Sequence, residues 1–121
     1  MNAKTACLTI LMLLALSSCN LKKGVQKMQE ESNKKFGDQH FKTAISLIEL
    51  HKVRYGTYPA NLDSLKYLGD WDGMIYSSVK YTKLKEGYEL DLVNGWIGKP
   101  KSLKYPDAFW NGLGCVKSNL K

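Results

Sequence analysis

The stretch from Asp38 to Tyr55 constrains the fold more than any other part of this chain. Phe41, Ala44, Ile45, Ile48 and Tyr55 recur at helical spacing, which on a period of 3.6 places them on one face with Leu47 at its edge. Leu50 and Val53 project away from that stripe, so the helix is expected to be contacted on more than one side. Eighteen residues at a rise of 1.5 Å reach roughly 27 Å, about the width of a small domain. This helix is therefore the expected organising element. Gly37 reads as a break before it and Asp38 as its N-cap. Tyr55-Gly56-Thr57-Tyr58-Pro59 ends it, because glycine supplies a left-handed cap and proline pushes Tyr58 into an extended conformation.

Downstream the periods change. Leu62, Leu65 and Leu68 recur every three residues, which predicts a short helix opened by Asn61 and closed by Gly69. Beyond Gly73, Ile75, Ser77, Val79 and Tyr81 alternate with Tyr76, Ser78, Lys80 and Thr82. After a turn at Glu86-Gly87, Tyr88, Leu90 and Leu92 alternate with Glu89 and Asp91. Period two predicts a hairpin whose inner face carries Val79, Tyr81, Tyr88, Leu90 and Leu92. Asn94-Gly95 signals another turn, with further extended segments expected at Trp96-Ile97 and from Phe109 to Val116. The expected class is α+β, one long N-terminal helix packed on a three- to four-stranded antiparallel sheet.

The beginning of the chain has a different character. Lys4 precedes an apolar run from Ala6 to Leu16, and the small residues Ser17 and Ser18 lead to Cys19. Eleven apolar residues fall short of the roughly 20 that cross a bilayer as a permanent helix, so residues 1–18 read as a removable export signal. Leu16-Ser17-Ser18-Cys19 resembles the lipobox of bacterial lipoproteins. That resemblance implies cleavage before Cys19, a diacylglycerol on its sulfur and a place on a membrane of the cell envelope. A thiolate is the side-chain nucleophile best suited to forming that thioether. The rival is an ordinary secretory signal with an incidental cysteine. Asn20 after the cysteine, by analogy with other lipoproteins, implies the outer membrane, facing the periplasm.

On this reading residues 19–36 are a polar, lipid-anchored linker, in part helical, and residues 37–121 a small domain. An 85-residue domain buries only about 60% of its unfolded surface and leaves little room for a deep active site. Cys7 is discarded with the signal and Cys19 carries lipid, which leaves Cys115 unpaired and no structural disulfide expected. Removing residues 1–18 takes only Lys4 from the charged set. The remaining 17 basic and 11 acidic residues balance at +6, with Lys22, Lys23, Lys27, Lys34 and Lys35 concentrated beside the anchor. Lysines there suit an anionic membrane surface or a solvated tether. Export and the absence of a recognition motif argue against nucleic acid.

Between Ala44 and Leu65 the chain resembles the heads of type IV pilins and type II secretion pseudopilins. The residues that carry this are the amphipathic helix, Arg54-Tyr55-Gly56-Thr57-Tyr58-Pro59, Leu62, Leu65 and the hairpin residues Gly87-Tyr88-Glu89-Leu90. The family implies a helix on an antiparallel sheet. It also has a long apolar helix directly after a prepilin cleavage site, where this chain reads Lys34-Lys35-Phe36-Gly37-Asp38-Gln39-His40. The resemblance therefore implies a pilin-like head on a lipid tether, with a possible envelope protein as partner.

Other candidate chemistry is sparse. Asp70-Trp71-Asp72-Gly73 has the alternating carboxylates that begin a calcium loop, without the later ligands; the alternative is a polar turn. Trp71, Trp96 and Trp110 offer aromatic surface for a protein or glycan, or else caps for a shallow core. His40 and His51 lie about 16 Å apart along a helix, too far to share a metal. Glu89 and Asp91 share a strand face, but that face is expected to point to solvent. No catalytic motif appears, so a non-enzymatic interaction or structural module is expected, with a small binding module or a periplasmic enzyme as rivals.

Overall fold

The computed structural model describes residues 2–121. Its dominant element is α1 (Ala3–Tyr55), a single helix of 53 residues and so about 80 Å long. It ends as the sequence predicts. Gly56 adopts a φ of 77° and its N–H donates to the carbonyl of Lys52 at 2.8 Å, the left-handed cap that an L side chain would resist.

The start of the helix corrects the sequence reading. Residues 20–36 continue α1, Gly37 does not break it, and Asp38 does not cap it. Gly37 is buried, and a Cβ there would come within 2.9 Å of Leu92 Cδ2 and 3.3 Å of Pro100 Cγ. Glycine here permits close approach rather than a turn. The intrinsic cost of a mid-helix glycine, about 1 kcal/mol against alanine, is offset by the packing it allows. Asp38 instead accepts a hydrogen bond from the Tyr105 hydroxyl at 2.7 Å and pairs with Lys42 one turn on.

No residue from Ala3 to Gln29 is buried. From Asn33 onward α1 buries Asn33, Gly37, His40, Phe41, Ala44, Ile45, Leu47 and Ile48, so the docked face begins about two turns before Phe41, where the apolar pattern starts. Its far end is free: Tyr55, expected on the inner face, is exposed along with Val53.

A 3-10 turn at Leu62–Ser64 follows, with the Asn61 side chain accepting from the Ser64 N–H at 3.2 Å. It is shorter than predicted, since Leu65 is already extended. A second 3-10 turn, Asp72–Met74, leads into α2 (Ile75–Ser78). The first four residues of the predicted strand are thus helical. Ile75 and Ser78 are the buried pair, an i, i+3 spacing, and Ser77 was too weakly apolar to distinguish that from alternation.

The sheet has three strands, β1 (Val79–Lys83), β2 (Tyr88–Leu92) and β3 (Cys115–Lys117), in that order. β1 and β2 form the predicted antiparallel hairpin, with Val79 opposite Leu92 and Tyr81 opposite Leu90. β3 runs parallel to β2, so the sheet is mixed rather than wholly antiparallel. The reason lies in residues 93–114, which return along α1, held by its side chains, before β3 begins. Trp96-Ile97 lies on this return and forms no strand.

Phe41, Ala44, Ile45 and Ile48 meet Ile75, Val79, Tyr88, Leu90 and Leu92 in the core, closed by Leu103, Trp110, Cys115 and Leu120. Tyr81 is only half-buried, with its hydroxyl donating to the carbonyl of Pro59 at 2.6 Å.

Candidate functional site

Cys19 sits exposed on the undocked half of α1, with a free thiol. Ser17 and Ser18 beside it turn their hydroxyls back to the carbonyls of Leu13 and Ala15, so this segment forms no tertiary contact through them. The apolar side chains ahead of it, Leu8 to Leu16, are exposed, and an 18-residue stretch of α1 reaches a mean hydropathy of 1.5 with none of it buried. By length and composition that stretch suits a signal or a membrane helix.

The head begins at Glu30. Glu30 Oε1 accepts from the Lys101 N–H at 2.8 Å. One turn on, Asn33 Oδ1 accepts from the N–H groups of Trp96, Ile97 and Gly98 at 3.1, 2.8 and 3.1 Å. Three successive amides converging on one oxygen form a concave nest, filled here by the protein's own side chain. Gly95 makes this possible, because a Cβ there would lie 2.1 Å from the Asn33 carbonyl oxygen.

At the other end of the docked face, Glu49 is the hub of a polar cluster. Its Oε1 accepts from the Tyr88 hydroxyl at 2.9 Å and the Gly114 N–H at 2.8 Å, and its Oε2 from the Tyr58 hydroxyl at 3.1 Å. Burial, followed by the charge of Glu49, pushes the Tyr88 hydroxyl far above its usual range, so it stays a proton donor. Gly114 cannot carry a side chain, since a Cβ would overlap Tyr58. With both oxygens engaged, Glu49 joins α1, β2 and the approach to β3.

Neither Asn33 nor Glu49 was singled out from sequence. The one available signal was that Asn33, Gly37, His40, Ala44 and Ile48 extend a single helical stripe backward into polar residues.

The residues that were singled out fall apart in space. Asp72 Oδ2 accepts from the N–H groups of Leu68 and Gly69 at 2.9 and 2.8 Å, the polar-turn alternative, while Asp70 is exposed. Among the described residues no three His, Cys, Asp or Glu side chains gather where they could hold a metal. Trp71 is 80% exposed on this turn. Trp96 is half exposed and stacks on Phe36 with ring centres 4.8 Å apart. Trp110 is a correction: it is only 9% exposed, packs edge-on against Phe41 and belongs to the core rather than to a contact surface.

His40 is buried with its Nε2 unpaired, and burial lowers its pKa. His51 Nδ1 lies 2.8 Å from the Thr57 carbonyl. Burial of Cys115, only partly opposed by Lys121, pushes its thiol up to about 11, which keeps it protonated and a poor nucleophile. Asp91, expected to face solvent, is half-buried and accepts from the Asn119 N–H at 2.8 Å, while the Asn119 amide pairs with both backbone groups of Leu92. The last residues of the chain thereby extend the β2 ladder.

Together these features define a class by architecture: a small α+β head built on the distal half of one long helix, whose proximal half is exposed, apolar from Ala6 to Leu16, and carries the exposed cysteines Cys7 and Cys19. No family model, no curated protein and no solved structure matches the chain.

Proposed function

We propose that this chain is a bacterial lipoprotein, cut before Cys19 and held in the cell envelope by a diacylglycerol thioether on that sulfur. The head is then a non-enzymatic structural or protein-interaction domain. The observation that carries the reading is the order Leu16-Ser17-Ser18-Cys19 directly after the apolar run. The exposure of Cys19 on a stretch of α1 that makes no contact with the head supports it. The protonated Cys115 and the fully engaged Glu49 support the non-enzymatic part, because neither is free to act as nucleophile or base. A helix laid on a small sheet supports a pilin-like head, with an envelope protein as its partner. Asn20 favours the outer membrane, facing the periplasm.

The mass of the mature N-terminus tests this. The expected product begins at Cys19 and carries the added diacylglycerol. The apolar 18-residue stretch favours one other reading, an uncleaved membrane helix. Retention of residues 1–18 with an unmodified Cys19 would establish that reading and remove the lipoprotein.

A further inference from the structure

We infer that the base of the head docks on the bilayer to which it is anchored, seating Val25 and Met28 of α1 and Trp96 and Ile97 of the return loop among the headgroups of an anionic lipid surface. The inference rests on the lipid at Cys19 proposed above. Val25, Met28, Trp96 and Ile97 are 46, 67, 53 and 66% exposed, yet they gather around one groove of about 200 Å³ that Gln29 and Ser32 complete. Leu21, also exposed, continues the same helical face one turn toward Cys19. An exposed apolar cluster held in a fixed shape marks an interaction surface. The shape is fixed because Asn33 holds the N–H groups of Trp96 and Ile97, and Phe36 stacks under the Trp96 ring.

Distance from the anchor identifies the occupant. Val25 and Met28 lie six and nine residues after Cys19, so about 9 and 14 Å along the helix. The headgroup layer on each side of a bilayer is only about 5–8 Å deep. An upright α1 would lift both side chains beyond it into water. A helix inclined onto the surface brings Leu21, Val25, Met28, Trp96 and Ile97 to headgroup depth together, the placement that indole rings and interfacial helices favour.

Charge points the same way. Lys22 and Lys35 flank the apolar face on either side, and Lys99 and Lys101 line the neighbouring depression with Gln26 and Gln29. Glu30, which lines the same depression, is turned onto the Lys101 N–H, and the one exposed acid on this part of α1, Glu31, faces the depression that Lys34 and Lys35 line. A second copy of the chain on this face would bring the two sets of lysines together, whereas anionic lipid neutralises them.

The test uses the full mature protein in vesicles of phosphatidylcholine and phosphatidylglycerol in which part of the phosphatidylcholine carries a nitroxide on its headgroup. A nitroxide at that depth quenches an indole only at close range. A Trp71→Phe background leaves Trp96 as the exposed reporter, since Trp110 is in the core. Quenching is expected there, weaker without phosphatidylglycerol, and lost on adding Trp96→Phe or, with the reporter kept, Ile97→Asp. Unquenched emission from protein that floats with the vesicles overturns the docking and leaves the anchor standing, as do dimers without quenching, which would assign the face to a second copy. An unmodified Cys19 in the same sample removes the anchor, and quenching in that sample would still uphold the docking.

Discussion

The side-chain oxygen of Asn33 satisfies three backbone donors that the return loop would otherwise leave facing a helix. Unpaired buried amides cost about 1–3 kcal/mol, so Asn33→Ala should lower unfolding free energy by that order. Asn33→Asp keeps an acceptor for the same nest and should lose less; urea titration of the two variants separates a lost acceptor from lost packing. Nothing in the local sequence reveals this role, because Asn33 lies between Ser32 and two lysines in a stretch whose polarity reads as a tether. Its partners are 63 to 65 residues away, and periodicity carries no information about a contact that far along the chain. Glu49 escaped for the same reason: a glutamate on a helix reads as solvated until the Tyr58, Tyr88 and Gly114 donors are brought to it by the fold.

At the scale of elements, the sequence was readable wherever burial follows a period. Phe41, Ala44, Ile45 and Ile48 were expected to face Val79, Tyr88, Leu90 and Leu92, and they do. Ile48 is fully buried at the centre of that contact, so Ile48→Ala should cost about 2–5 kcal/mol in chemical denaturation, a large share of the 5–15 kcal/mol that stabilises a typical domain. The misreadings share a physical origin. Gly37 looked like punctuation because a glycine that terminates a helix and a glycine that admits a neighbour are the same letter, and only Leu92 and Pro100 distinguish them. The parallel β3 was hidden because strand direction depends on the path of residues 93–114, which is set by side chains of α1 rather than by any turn motif.

For the molecule as a whole, the boundary of the folding unit moves from residue 37 back to Glu30. A fragment beginning at Gly37 lacks both Glu30 and Asn33 and should unfold at lower urea than one beginning at Asn20, by at least the cost predicted for Asn33→Ala; comparing the two midpoints measures it. The ties that close the head share one property. Asn33 waits for Trp96 to Gly98, Asp38 for Tyr105, Glu49 for Gly114 and Leu92 for Asn119. The helix is the first element to leave a ribosome, and the ties that close the head on it, from Trp96 to Gly114, become possible only after the hairpin has been made. Contacts of such long separation form slowly and only after the intervening chain is free. Until residues 96–119 have left the ribosome the chain therefore remains an open, threadable polypeptide, and the head snaps shut only after they are out.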